Sequence, residues 1–388
     1  MRTILFLTSR LPYPPNRGDK VRSNQFLSIL ASRYHIIPVS LYGRGERKYL
    51  KEFKKMYPQA LVFYQSWLRM LWNLITGVFG KRPLQVIIYR NKKMQAVIKA
   101  LTDKDRPVVY AFMIRMVEYL EAVPNCYRIS DLTDCISMEY ERRLRFLRGL
   151  KRLVFSLESK RLRRLERAVP NAVEEVWFIS DVDRKKLALS TDKCKIIPNS
   201  TLIYPKEKDY RFWGKMVFSG RMSVAHNIHT VEYIRNELLD EILAIYPDLQ
   251  FDIIGAGPTK RIMDMDGNRN TKVHGFVPDL LEALSESDVF VAPMFFSAGM
   301  QNKILEAMAV GVPVVMTETV AESIGCADGI HYLKAGTKDE FITGIKELLG
   351  NEDLRKRIGS SAKQFIKEHY SPEIVSQLIY SRINSIME

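Results

Sequence analysis

Short apolar runs alternate with longer amphipathic stretches along almost the whole chain. In the first half, the runs at 3–8 (TILFLT), 35–41, 60–64, 107–112, 127–130, 174–179 and 195–198 predict buried strands. Helical spacing falls between them at 19–33, 45–56, 91–102, 114–122 and 181–189. In the second half, strands are predicted at 216–219, 250–254, 272–274, 288–292, 313–317 and 330–333, and helices at 338–349, 351–369 and 372–386 close the chain. Strand and helix in strict alternation predict an α/β protein with parallel sheets. The segment NSTLIYPKEKDYRFWG, polar and broken by Pro205, reads as a linker between two doubly wound, Rossmann-like domains. The expected division is 1–205, 206–370, and a final helix, 371–388, crossing back to the N-terminal domain.

Two segments depart from the alternation. Residues 136–168 contain no proline, and Leu144, Leu147, Leu150, Leu153, Leu157, Leu162 and Leu165 recur near helical spacing among many arginines and lysines. They predict one long basic amphipathic helix, either packed on the core with a solvated face or presenting a membrane or partner surface. The run Leu61–Phe79 is the nearest approach to a membrane span, but Gln65, Ser66, Arg69 and Asn73 interrupt it. Its first part, 61–64, reads as a core strand. Its second part carries Trp67 and Trp72 beside Lys81 and Arg82, and suits either plain packing or the headgroup layer of a membrane.

Composition sharpens this. A chain of 388 residues with 46% hydrophobic and 27% charged residues is long enough for two globular domains and is neither disordered nor a disulfide miniprotein. The net charge of +15 is unevenly placed: residues 1–210 carry 41 basic and 20 acidic side chains, residues 211–388 carry 18 and 24. A basic half joined to a mildly acidic one points to an anionic partner for one domain only. Nucleic acid is disfavoured, because no recognised binding motif accompanies the charge. Cys126, Cys135, Cys194 and Cys326 lie far apart, without zinc spacing, and read as reduced thiols. The apolar start is too short for a signal peptide before Arg10 and Pro12. A cytoplasmic protein is expected, with a peripheral position on the inner face of the plasma membrane as an option.

Ligands of doubly wound sheets bind where strands end, so the loops after strands are where the chemistry is expected. Gly255-Ala-Gly257-Pro258 follows one strand, but Lys260 stands where a dinucleotide fingerprint needs its third glycine, and an oxidoreductase is rejected. The decisive stretch is VFVAPMFFSAGMQNKILEAMAVGVPVV, 289–315: a buried strand ending at Pro293, a loop with Gly299, a helix starting near Gln301, and a new strand at Pro313. Backbone N–H groups at such a helix start suit a diphosphate. Gly299 permits close backbone approach, and Glu306, a turn inside, can accept hydrogen bonds from a ribose diol.

With FSGR at 218–221, IIPNS at 196–200, IIGAGP at 253–258, HGFVPD at 274–279 and NKILEAMAVGVPVV at 302–315, the chain resembles glycosyltransferase family 4. Within it, AGMQNKILEAMA and the PPNRGDKVRS loop are similar to a bacterial subgroup of sugar transferases for exopolysaccharide and cell-surface glycans. The resemblance implies a GT-B fold, two Rossmann-like domains facing across a cleft, and a retaining, metal-independent enzyme using a nucleotide-sugar donor. Glu306 matches the second glutamate of the family's Glu-x(7)-Glu motif, but the first is replaced by Ala298. Arg221 matches the phosphate-binding arginine, whose lysine partner is replaced by His226. Lys303, three residues before Glu306, is expected to supply the missing charge.

The catalytic candidates are therefore Arg221, Lys303 and Glu306. The donor-binding set adds Gly18, Gly255, Gly257, Val277, Gly299, Met300, Gln301 and Asn302. On the acceptor side stand Arg17, Asp19, Arg115, Asp131 and Asp134, with helix capping an equal account of Asp134. His35, His274, His331 and His369 read as fold positions. No metal and no other cofactor are expected. The implied partners are a nucleotide-sugar donor, UDP- or GDP-linked, a glycan or lipid-linked acceptor, and an anionic membrane surface. Two rival readings stay open: a sugar-nucleotide epimerase on the same fold, and a non-catalytic glycan- or nucleotide-binding partner.

Overall fold

The structure, a computed structural model, describes residues 3–16, 18–144, 147–190, 192–295 and 299–387. Two compact units emerge, residues 1–198 with 376–388, and residues 199–375.

The first unit is built on a seven-stranded parallel sheet: β1 (Thr3–Thr8), β2 (His35–Tyr42), β3 (Leu61–Tyr64), β4 (Val108–Phe112), β5 (Tyr127–Thr133), β6 (Glu175–Phe178) and β7 (Cys194–Ile196), in the order β3-β2-β1-β4-β5-β6-β7. Sequence alternation becomes parallel pairing because each strand is followed by a helix that returns the chain to the same edge. The central strands are buried on both faces, which is why β1 and β4 read as uninterrupted apolar runs. Phe6 stacks on Tyr110 at 4.8 Å, and Trp177 packs edge-on to Tyr110 at 5.4 Å. This aromatic layer anchors the middle of the sheet.

The second unit holds six parallel strands: β8 (Lys215–Ser219), β9 (Gln250–Ile254), β10 (Thr271–Gly275), β11 (Val289–Ala292), β12 (Val314–Met316) and β13 (Leu333–Lys334), ordered β10-β9-β8-β11-β12-β13. Chain order reverses between β1 and β4 in the first sheet and between β8 and β11 in the second, the place where ligands settle in such sheets.

Four expectations need correction. The domain boundary falls at 198/199 rather than 205/206, because 199–204 is fastened to the second unit: Asn199 donates to the Asn302 side chain, Thr201 N–H to the Tyr370 carbonyl and Tyr204 N–H to the Ala309 carbonyl. The closing boundary lies at 375/376, inside helix Pro372–Met387. From Ser376 onward this helix belongs to the first unit, where Tyr380 meets Ser32 at 2.8 Å, Tyr34 donates to Asn384 and Arg382 pairs with Glu175.

The long helix expected at 136–168 is instead two helices, Ile136–Arg143 and Gly149–Ala172. Gly149, the first residue of the second helix, takes φ +56°, a left-handed conformation that glycine adopts at low cost. The pair closes as a hairpin through Tyr140 stacked on Phe155 at 4.9 Å and Ser159 donating to the Ser137 carbonyl. Finally, β5 continues to Thr133 rather than stopping at Ser130, which places Asp131 inside a central strand.

Candidate functional site

The second unit concentrates the candidate groups at the β8/β11 reversal. β8 ends at Ser219, and Gly220 (φ +153°) leads into Arg221. Any side chain at 220 would collide with Asn227, whose amide nitrogen lies 2.8 Å from the position a Cβ would take. Asn227 is buried in helix Ala225–Tyr233 and works in two directions: its Nδ2 donates to the Arg221 carbonyl at 3.0 Å, and its Oδ1 accepts from Lys303 Nζ at 2.5 Å. Lys303 Nζ also reaches Gln301 Oε1 at 3.4 Å, and Gln301 Nε2 donates to the Gly299 carbonyl at 3.3 Å. Arg221, Asn227, Lys303, Gln301 and Gly299 thus form one hydrogen-bonded run across the ends of two adjacent parallel strands.

Helix Asn302–Val310 stands on this run. Its N-cap position, Gln301, makes no side-chain cap bond, so the helix start keeps the electropositive character of its backbone N–H groups. Gly299 is held at φ +67°, and Gly311 at φ +92° ends the helix before Pro313. Met300 is buried, and Asn302 Oδ1 accepts from Asn199 Nδ2 at 2.7 Å, which fixes the orientation of that side chain at the helix start.

Lys303 is 9% exposed, with its ammonium 5.3 Å from the centre of the Phe218 ring. Burial lowers its pKa to about 7, against an upward pull from the Glu306 carboxylate. Glu306, half-buried one turn further on, has its carboxyl raised by the same desolvation, with Lys303 opposing. An exposed lysine is therefore excluded: Lys303 is buried and held in the site by Asn227. Arg221 is exposed, with Nε donating to Ser223 Oγ at 3.1 Å. His226 sits half-buried in the first turn of its helix.

The other donor candidates divide. A Cβ at Gly255 would lie 1.8 Å from the Gly220 carbonyl oxygen, so this glycine serves the packing of one strand-end loop on another. That packing by itself accounts for glycine at 255. Gly257 (φ +69°) belongs to the same clasp, closed by Met222 N–H on the Ala256 carbonyl. Val277 is half-buried in the loop after the edge strand β10, two strands from β8.

In the first unit, helix Gly18–Ala31 begins at Gly18, where an added Cβ would meet nothing within 4 Å. Neither packing nor a special backbone conformation demands glycine there. Asp19 is engaged by Arg10 at 3.0 Å. Arg115 donates to Gln85 and lies over Tyr89, with its Nη1 buried and without a hydrogen-bond partner.

Asp131 is fully buried and accepts from Arg22, from the Thr133 N–H and from Tyr110 Oη at 2.5 Å. Arg22 also donates to the Ile197 carbonyl. The acceptor role expected of Asp131 is therefore corrected to a structural one. Burial, with Asp183 close by, pushes the Asp134 carboxyl well above the usual range. Arg17 and Ala298 lie outside the described residues.

Sequence reasoning passed over Asn227 and Gly220. Gly220 lies inside the FSGR motif, and its position at the end of a predicted strand was the available signal. Asn227 had none, because its role appears only when two strand ends meet.

The described residues contain no cluster of three or more metal-ligating side chains, and no helix among them is long and apolar enough to cross a membrane.

Residues 214–351 match the family model Glycosyl transferases group 1. The chain is 21% identical to an uncharacterized 44.6 kDa protein in the cps region of Klebsiella pneumoniae, over 98% of this chain and 99% of that protein. It is 26% identical to the phosphatidyl-myo-inositol mannosyltransferase of Mycobacterium leprae, over 52% and 56% of the two chains. Among solved structures, Anabaena HepE in complex with UDP superposes with a TM-score of 0.67 at 14% identity, covering 99% of this chain and all of that one (100%). The fold is GT-B. With a group 1 domain spanning the site just described, the protein is a glycosyltransferase.

Proposed function

We propose that this glycosyltransferase moves a sugar from a nucleotide-sugar donor, UDP-linked in the first instance, to a hydroxyl of a glycan or lipid-linked acceptor, with retention of configuration and with protein groups rather than a metal stabilising the leaving group. The observation that carries the reading is Lys303, fixed by Asn227 in the first turn of helix Asn302–Val310, where the strand order of the second sheet reverses. As the sugar–phosphate bond breaks, negative charge grows on the diphosphate. The helix N–H groups, Lys303 and Arg221 are placed to meet that charge, which lowers the barrier without reorganisation at the moment of reaction. Glu306 accepts from the donor ribose, and its negative charge helps Lys303 keep its proton. The departing phosphate takes the proton of the attacking hydroxyl.

The UDP and UDP-glucose complexes of HepE support a nucleotide-sugar donor. The cps-region relative supports a place in surface-polysaccharide synthesis. The acceptor side falls to the basic first unit, working at an anionic membrane surface. Gly18 keeps the role that the resemblance implies, an open helix start that a phosphate can approach.

A thermal-shift series with UDP- and GDP-sugars tests donor binding, because only ligands of the folded state raise the melting temperature. UDP-glucose and its relatives are expected to stabilise the wild type and to lose that effect in Glu306→Ala. Stabilisation by none of the nucleotide sugars, or full stabilisation in the variant, overturns the assignment. Incubating the donor alone, without acceptor, and finding a new epimer instead of transfer would replace it with an epimerase.

A further inference from the structure

Helix Trp67–Gly77 turns the wrong face outward. Leu68, Leu71, Trp72, Ile75 and Phe79 recur at the three- and four-residue spacing that normally meets a core, yet all five are exposed, Trp72 by 67% and Phe79 by 97%. Helix Gly149–Ala172 does the same over its first half: Leu150, Leu153, Val154 and Leu157 form one exposed stripe, while Leu162, Leu165 and Val169 further along are buried. The two helices meet where Arg161 donates to the Val78 carbonyl at 2.9 Å. Val78 precedes Phe79, and Arg161 lies one turn after Leu157, so this bond brings the ends of the two stripes near each other. Two neighbouring stripes of exposed large apolar side chains call for an occupant.

Charge identifies it. Residues 53–102 contain nine basic side chains and no acidic one, and residues 142–157 contain six and none. Lys81, Arg148, Lys151 and Arg152 are exposed beside the stripes. Helix Trp67–Gly77 also borders a groove of about 980 Å³ lined by Arg69, Lys92, Lys93 and Lys99. The carboxylates on that groove, Glu118 and Glu121, are already paired with Arg90 and Arg82. A second copy of this chain offering the same face would set like charge against like. An anionic bilayer supplies both an apolar layer at the depth of the leucines and tryptophans and phosphates at the level of the cations.

We infer that these two helices form one membrane-docking surface, which seats the first unit on an anionic phospholipid leaflet with Trp67, Trp72, Phe79 and the Leu150–Leu157 stripe in the interfacial layer. The inference deepens the assignment of the first unit to the acceptor side and rests on that reading for its purpose, but its test requires no turnover. The full chain is to be sedimented with vesicles of phosphatidylglycerol and phosphatidylcholine, and with phosphatidylcholine alone, at low and at high salt. Three proteins are compared: wild type, Trp72→Glu/Phe79→Glu and Leu153→Glu/Leu157→Glu. These positions are exposed, so folding should survive, and the melting temperature with and without nucleotide sugar is measured on the same samples.

Wild-type protein is expected to bind the anionic vesicles, to shift its tryptophan emission to the blue, and to release at high salt. Each double variant is expected to lose about tenfold or more in partitioning, with the nucleotide response unchanged. Absence of binding to anionic vesicles at low salt, or equal binding by the variants, overturns the inference. Concentration-dependent dimers that the variants abolish also overturn it, by making the face a protein interface. If the nucleotide response fails while vesicle binding persists, the donor reading falls and the docking surface stands.

Discussion

The two sheets reverse strand order at equivalent points, yet treat charge there in opposite ways. Near the first reversal, charged groups neutralise one another: Arg22, Asp131 and Tyr110 lock together in the core, and Arg10 holds Asp19. At the second, Lys303 is buried against amide oxygens from Asn227 and Gln301, and among the described residues it forms no salt bridge. A buried cation whose direct hydrogen-bond partners are neutral amides, with the Glu306 carboxylate acting only from a turn away, is costly to keep charged, and that cost is relieved when an anion arrives. Parallel topology provides both sites, but the choice of partner decides whether a charge braces the fold or is offered to a ligand.

Four outcomes would break or sharpen this contrast. The largest is expected in the first unit. Asp131→Ala leaves Arg22 buried without its counter-charge and should cost about 3–5 kcal/mol of stability, read as a fall in the denaturation midpoint. A loss near zero would mean that the triad is not bracing the fold. Next comes Glu306→Ala, where catalysis rather than stability should suffer: about 100-fold in kcat/KM, or about 2.7 kcal/mol of transition-state stabilisation. Its melting temperature without ligand is expected to stay close to wild type.

The third concerns Lys303 and pH. In the free protein it is charged below about pH 7 and neutral above, whereas a diphosphate favours the charged form. Donor affinity should therefore be flat on the acid side and fall by up to about tenfold per pH unit above neutrality, with proton uptake on binding that calorimetry in different buffers can count. The stability of the unliganded protein should move the other way. An unfolded lysine keeps its proton to about 10.5 and the folded one loses it near 7, so this group's contribution rises with pH between those values. Glu306→Gln removes the carboxylate that supports the charged lysine and should shift the affinity profile toward lower pH. Lys303→Met should flatten it. The smallest effect belongs to Gly18→Ala, expected to leave stability within about 0.5 kcal/mol, because nothing crowds the site, while lowering transfer a few-fold. Unchanged transfer would remove Gly18 from the donor set.

Much of this architecture is legible in the order of residues. Apolar runs at 3–8, 107–112 and 289–292 could only be buried strands, and their alternation with amphipathic segments required parallel sheets. Glu306 was found because a strand, a glycine-bearing loop and a helix start lie consecutively in one motif. The failures have a common form. Gly149 offered the break in the 136–168 segment, but helical leucine spacing on both sides masked it. Asp131 looked accessible because a strand's last residue cannot be read from hydrophobicity when the strand ends in Ser-Asp-Leu-Thr. Asn227 was invisible, since its hold on the site is completed by a lysine that lies 76 residues away in the chain.

Sequence by itself determined the alternating α/β plan, the glycine-led helix start and the imbalance of charge between the two halves, because each is a property of neighbouring residues. Tertiary structure decided which charges are consumed and which are held in reserve, and which apolar stripes are turned to solvent. Those outcomes depend on desolvation and on partners brought from distant strands, and neither is written in local order.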